Sequence, residues 1–225
     1  VTNTTALRAM AWVPGYRSTD VDTQTYLFLE DAVRQSTNAP GPGWPGPGVT
    51  VNLQKMDYEM DPRVTGDPRY TNMIYEALVA IPTISIVTDR DNLFDASIGI
   101  YVNSTSEGDA WERPVSAELI YPDGRKGFQE NAGLRIRGGA SRNPAVPKHG
   151  FRLRFRNIYG ASKLKFKIFG EDGPDASNGV DLRCSQTPGW HHFLSGPSVF
   201  VRDIYARDLQ IAQGQPSTRG AKYHL

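Results

Sequence analysis

Gly138-Gly139-Ala140-Ser141-Arg142 lies between two segments in which apolar residues alternate with bases, Leu134-Arg135-Ile136-Arg137 and Phe151-Arg152-Leu153-Arg154-Phe155-Arg156. Paired glycines let the backbone turn so that N–H groups close around an anion, and the flanking arginines supply field and bidentate donors. A phosphate-bearing ligand is the chemistry this pattern predicts, with Arg135, Arg137, Gly138, Gly139, Ser141, Arg142 and Lys148 as ligand-binding candidates. From Leu134 to Ile168 the chain holds ten Lys or Arg and no acid, while the remainder holds fifteen bases and twenty-four acids. Such a cationic face is balanced either by an external anion or by carboxylates from elsewhere in the fold, because like charges opposite one another across strands cost stability.

Other residue types open other chemistries. Ser141 or Ser195 as nucleophile, His149, His191 or His192 as base and Asp175 or Asp181 as orienting carboxylate would make a serine-type ester hydrolase. No G-x-S-x-G elbow accompanies them. Asp89, Asp91, Asn92 and Asp95 crowd oxygen ligands of the kind calcium takes, without the spacing of an EF-hand loop, and turn or helix capping is the competing reading. His191-His192 with Asp181 and Cys184 lacks an HExxH pattern, and adjacent histidines in a strand diverge, which argues against zinc. Trp12, Tyr16, Trp44, Trp111 and Trp190 can stack on sugar rings or serve as core anchors, so a polysaccharide partner is a third class. In the basic segments aromatics alternate with bases instead of sharing their face, which leaves no stacking platform and argues against nucleic acid.

The elements that must position these residues are mostly strands. Side chains of a strand alternate between faces, so Leu134–Arg137, Phe151–Arg156 and Lys163-Leu164-Lys165-Phe166-Lys167-Ile168 are three predicted strands sharing one apolar and one cationic face. Ile81–Val87 reads as a buried strand and Val115–Tyr121 as another, closed by the turn Pro122-Asp123-Gly124. Thr5–Trp12 and Asp22–Phe28 flank Pro14-Gly15 and predict a hairpin. Residues 67–80 predict a short amphipathic helix capped by Asp67 with Pro68 at its first position. Ser198–Gln213 predicts a helix from the spacing of Val199, Val201, Tyr205, Leu209 and Ala212, with Ser198 as cap and Gly214 as stop. Glu171–Pro197 reads as a long irregular loop, and Ala221–Leu225 as a last, truncated strand.

Twenty-two Gly and sixteen Pro in 225 residues favour short strands and turns, and 39% hydrophobic content suffices for a core. Pro40-Gly41-Pro42-Gly43-Trp44-Pro45-Gly46-Pro47-Gly48 supports neither a helix nor a ladder, and the main linker is placed there. A single Cys184 excludes an internal disulfide, and no apolar run reaches the roughly 18 residues of a membrane span. The fold class expected is α+β: a mostly antiparallel β-sheet with one main C-terminal helix, plus an N-terminal β-hairpin.

The stretch from Met56 to Leu225 resembles the CotH (spore coat protein H) kinase family of large secreted or surface-attached bacterial proteins. Asp57-Tyr-Glu-Met-Asp-Pro62, Ile81–Phe94, Trp111-Glu-Arg-Pro114, Leu134–Arg142, Pro147-Lys148-His149-Gly150-Phe151-Arg152 and Val201–Leu209 carry the resemblance. Thr5–Phe28 is similar to the tail of the β-domain that follows chitobiase and hexosaminidase catalytic domains. The likeness implies a chitobiase-like remnant at 1–36, a Gly/Pro-rich linker at 37–55 and a CotH-like domain at 56–225. That domain would be a nucleotide-binding half that stops short of its catalytic lobe and is not a competent kinase alone. By the same likeness Arg137–Arg142 would be the glycine-containing loop, Lys148 the phosphate-reaching lysine and 198–213 the regulatory helix. That helix has no Glu, so Asp203 or Asp208 would pair with Lys148. ATP and Mg are the cofactors implied, the missing C-terminal lobe is the partner, and the location is secreted or cell-surface.

Overall fold

Residues 1–146, 148–184 and 201–225 are described by the computed structural model. The architecture is α+β. Strands β1 (Thr5–Ala9) and β2 (Asp22–Tyr26) form the expected antiparallel hairpin. Its long connection is itself ordered: Thr19 N–H donates to the Ala11 carbonyl at 3.0 Å, and Gly15, at φ +85°, completes a turn in which Tyr16 N–H donates to Val13 O. A short helix α1 (Leu29–Val33) follows.

Inside the Gly/Pro-rich stretch and its sequel the chain makes specific contacts. Trp44 meets the rings of Tyr58 and Phe94 edge-on at 6.2 and 5.3 Å, and Tyr58 Oη donates to Pro45 O at 2.8 Å. Strands β3 (Thr50–Val51) and β4 (Gln54–Lys55) close a second hairpin through Asn52 and Leu53, both at positive φ, the backbone a two-residue hairpin turn requires. The helix expected over 67–80 is broken up. A turn of helix α2 (Pro62–Thr65) precedes it, capped by Asp61, whose carboxylate accepts from Arg63 N–H. Asp67 nucleates only a turn, with its side chain accepting from Arg69 N–H, and helix α3 begins later (Ile74–Val79). The Asp67 carbonyl accepts from Tyr70 and Thr71 N–H, so the segment folds as successive single turns and not as one continuous helix.

The main sheet is a five-stranded antiparallel meander of β5 (Thr83–Val87), β6 (Arg113–Ile120), β7 (Gln129–Arg137), β8 (Gly150–Arg154) and β9 (Gly179–Leu182), in that spatial order. Helix α4 (Asp91–Phe94) lies in the β5–β6 connection. Strand alternation does here what the sequence predicts: Ile84, Val115, Ala117, Leu119, Ala132, Leu134, Ile136, Leu153 and Val180 share one buried core face. Two of the expected cationic strands are present as β7 and β8.

The third is not a strand. Lys163–Ile168 makes a single bridge, Leu164 to Ser177, and its remaining backbone turns on itself, with Ile168 N–H donating to Phe166 O. Leu164 and Ile168 are still buried, so the apolar positions found the core, but the place beside β8 is taken by β9. Strand β9 falls inside the stretch expected to be irregular. Helix α5 (Arg202–Ala212) occupies the described part of the last predicted helix; its expected cap, Ser198, lies outside the described residues. Gly214, at φ +73°, ends it. The final residues make one parallel bridge and not a full strand: Ile84 N–H donates to His224 O at 2.8 Å and His224 N–H to Pro82 O at 2.9 Å.

The opposite face of the sheet is polar and shared. Over β5, β6 and β7 lies the N-terminal hairpin. Thr25 N–H donates to Glu118 Oε2 at 2.7 Å, Thr25 and Ser85 hydroxyls sit 2.8 Å apart, and Asn131 Nδ2 donates to Val21 O at 2.9 Å. Over β7, β8 and β9 that face carries the arginines. No helix among the described residues is long and apolar enough to cross a membrane.

Candidate functional site

Antiparallel register sets Arg135 directly opposite Arg152, and Arg152 opposite Asp181. The bases therefore gather on one surface, and carboxylates from outside the basic segment meet most of them. Glu112, just before β6, packs over Gly133, where a Cβ would lie 2.4 Å from its Cγ. From that buried position it holds Arg135 Nε at 2.6 Å and Arg156 Nε at 3.4 Å. Asp109 bridges the same two guanidiniums at 2.5 and 3.0 Å. Hydrogen bonds from Arg156 and Arg135 hold the Asp109 carboxyl well below the usual range, at about 2. Tyr159, half-buried beside Glu112, has its phenol pushed up to about 12 by partial burial and by that carboxylate.

Asp181 is the third acid. It takes Arg152 Nε at 2.5 Å and lies 2.6 Å from Arg137 Nε. Burial alone would raise its pKa, but the Arg152 hydrogen bond and the charges of both arginines outweigh burial and lower it. The two contacts are not equivalent. Arg152 makes the two aligned hydrogen bonds, while Arg137 Nε, itself buried, closes on Asp181 as a less well aligned ion pair. Arg154 Nε is buried without a partner.

At the open end of β7 the glycine pair makes a real cleft. Gly138, at φ +108°, turns the chain out of the strand, and Ala140–Arg142 form one 3₁₀ turn. Arg142 holds this turn from behind: its guanidinium donates to Gly138 O and to Ser106 O, and Ser104 Oγ donates to Arg142 O at 2.7 Å. Arg137, Gly138, Gly139, Ala140, Ser141, Gly150, Arg183 and Cys184 line a cleft of about 190 Å³. Two guanidiniums and a glycine turn around a volume of that size suit a phosphoryl group.

The structure redistributes the candidates. Arg137, Gly138, Gly139 and Ser141 line the cleft together. Arg135 belongs to the Glu112–Asp109 cluster, and Arg142 is a brace for the turn, so neither serves as a ligand arm. Lys148 is exposed, outside the cleft lining, and forms no ion pair with a described residue. Asp203, expected to pair with Lys148, bonds Arg183 instead. Arg183 was missed and Cys184 was considered only as a metal ligand with His191, His192 and Asp181, since both follow a strand hidden in a stretch rich in Gly, Asp and Asn. The Val180-Asp181-Leu182 alternation was the signal that marks it.

The hydrolase constellation does not assemble from Ser141 and His149. Ser141 Oγ donates to Arg137 O at 2.9 Å, and His149 Nδ1 lies 2.6 Å from the Ser141 carbonyl oxygen, which can only accept. His149 thus carries its proton on Nδ1, turns its ring against Tyr101 at 5.3 Å and buries Nε2 without a partner. Of the other candidates, Asp175 lies 3.6 Å from Lys167, and Ser195, His191 and His192 lie outside the described residues.

The candidate calcium ligands point to separate partners. Asp89 pairs with Arg8 at 2.7 Å, Asp91 with Arg90, Asn92 Nδ2 donates to Thr88 Oγ1, and Asp95 Oδ1 accepts from Ser97 and Ile98 N–H. Capping and pairing account for all four. Among the described aromatics Trp44 and Trp111 are partly buried, while Trp12 and Tyr16 are 64% and 77% exposed near the tip of the β1–β2 hairpin. No protein-family model matches the chain, and neither a curated protein nor a solved structure matches it.

Proposed function

We propose that this chain binds a phosphate-bearing ligand, a nucleotide in the first place, in the Gly138–Ser141 cleft, as the nucleotide-binding half of a CotH-like atypical kinase. The observation that carries the reading is the cleft itself, in which Arg137 and Arg183 line the space in front of a glycine turn. Lys148 stands two residues before Gly150 of the cleft wall and is exposed, so its stem is free to reach a ligand's outer phosphates. Within this reading ATP with Mg is the cofactor pair, phosphoryl transfer belongs to a second lobe of a larger secreted or surface protein, and these residues supply binding.

Titration of the chain with ATP, ADP and inorganic pyrophosphate tests the reading. Saturable binding is expected in the wild type, weakened about 10- to 100-fold in Arg137→Gln, since a hydrogen bond to a charged group is worth about 1.5–3 kcal/mol. A smaller loss is expected in Lys148→Ala. Equal, non-saturating signals for all three proteins would overturn it.

A second reading rests on the exposed Trp12 and Tyr16. Tyr16 lines a shallow depression with Ala11, Val13, Arg17 and Thr19, whose apolar and polar walls suit a sugar ring, and Trp12 is exposed next to Ala11 in the chain. Retention on insoluble glycans, lost in Trp12→Ala and Tyr16→Ala, is the expected result; passage through every glycan tested removes this reading.

A further inference from the structure

Arg183 is the cleft residue with a second allegiance. It lines the space in front of the glycine turn, and its Nη1 donates to Asp203 Oδ2 in the first turn of α5. That helix has no buried residue, and Val201, Tyr205 and Leu209 are 56%, 68% and 46% exposed along it. Among the described residues, few contacts hold α5. One is the approach of Gly220 to Ile204 and Arg207, and another is the ion pair. On the other wall Arg137 shares Asp181 with Arg152, so three guanidiniums near the cleft meet two carboxylates, one of them belonging to α5.

We infer that Arg183 is a ligand-contacting arm of the cleft and that Asp203 competes with the phosphate for it, so that filling the cleft releases α5. The inference rests on the phosphate reading above. A guanidinium presents its donors in one planar fork, and a fork turned toward a phosphate in the cleft is drawn away from a carboxylate outside it. The exchange is favourable because a phosphate carries more charge and more acceptor oxygens than Asp203. Competition of this kind is reciprocal: whatever helix docking takes from ligand affinity, ligand takes from helix docking. Asp203 then acts as an occupant of the site supplied by the chain itself, and α5 reports whether the cleft is filled.

Inorganic pyrophosphate titrated calorimetrically into the full chain, together with amide hydrogen exchange over 203–212, tests this. Four proteins are compared: wild type, Asp203→Asn, Asp208→Asn and Arg183→Gln. Asp208 lies on the same helix and forms no ion pair among the described residues, so its variant makes the same change in net charge without touching the latch. Asp203→Asn should bind about 3- to 10-fold more tightly than Asp208→Asn, and Arg183→Gln at least about tenfold more weakly than wild type. In the double variant Asp203→Asn/Arg183→Gln, the gain from Asp203→Asn should vanish. Exchange in α5 should quicken when the wild type is saturated. Equal affinities for the two Asp variants, or α5 exchange indifferent to pyrophosphate, overturn the competition while leaving the cleft as a binding site. Loss of pyrophosphate binding in every protein overturns the cleft reading and this inference with it.

Discussion

At Gly138 the backbone sits at φ +108°, and a Cβ built there would lie 2.0 Å from the Ser141 hydroxyl oxygen; at Gly139 nothing lies within 4 Å. Adjacent glycines thus have opposite tolerances. Gly138→Ala is expected to destabilise the chain by about 1–3 kcal/mol, the cost of an unfavourable backbone region plus a clash, and Gly139→Ala to be near neutral. Urea unfolding of both variants checks this, and equal midpoints would mean that the turn is not held at that geometry. His149 gives a second expectation at this scale. Burial lowers its pKa, helped by the Arg142 charge, against the opposing effect of its bond to the Ser141 carbonyl. A histidine whose folded pKa is depressed contributes stability above its unfolded pKa, ordinarily 6.5, and that stability is lost as pH falls below it. Stability should therefore decline on acidification below that value, with Arg142 and the Tyr101 ring the groups that face the imidazole. His149→Gln should flatten the decline in thermal melts taken across that range; a parallel decline in wild type and variant would assign it to other groups.

Among the elements, the β1–β2 hairpin and the sheet are joined by polar contacts more than by an apolar seam. Asn131→Ala removes the donor to Val21 O and leaves that carbonyl without this partner, for an expected loss of about 1 kcal/mol. The loss should be local: amide exchange over residues 5–26 should accelerate more than exchange in β7 or β8. Uniform acceleration would make the hairpin and the sheet one cooperative unit. Sequence pattern revealed much of this level. Alternation located β5 to β8 and the hairpin, because each has a wet and a dry side. It misassigned Lys163–Ile168, where the same alternation buries Leu164 and Ile168 without a ladder, since periodicity records which side chains go inward and not which backbone pairs. It passed over β9, whose four residues, Gly179–Leu182, are flanked by turn formers. At the candidate site the glycine pair and Arg137 were legible, whereas Arg183 was not, because its approach depends on the register of β9 against β8.

For the molecule as a whole, the charge imbalance along the chain is largely cancelled in three dimensions. Asp109 and Glu112 precede the basic segment and Asp181 follows it, yet all three close on its arginines. The sequence left two readings of the cationic face open, and internal pairing reaches Arg135, Arg137, Arg152 and Arg156, with Arg183 beyond the basic segment paired to Asp203. The cleft at the end of the sheet, lined by Arg137, Arg183 and the glycine turn, is the part of this face on which the phosphate proposal rests. Glu112 is the centre of the arrangement, with its side chain only 2% exposed. Glu112→Ala would strand Arg135 with a single, largely exposed acid, and a loss of about 3–5 kcal/mol is expected in urea unfolding. A loss under about 1 kcal/mol would show that water replaces the carboxylate.

The bridge from His224 to β5 has a consequence for solution behaviour. In a meander the first strand keeps one row of amides and carbonyls unmated, and an unmated row is a template on which a neighbouring molecule can add its own strand. His224 covers part of that row, with its carbonyl on Ile84 N–H and its own amide on Pro82 O. Residues 221–225 thus act as a selvedge. Trimming them should leave the fold in place and make the protein self-associate with rising concentration, visible as a growing scattering mass, whereas the untrimmed chain keeps that margin hemmed.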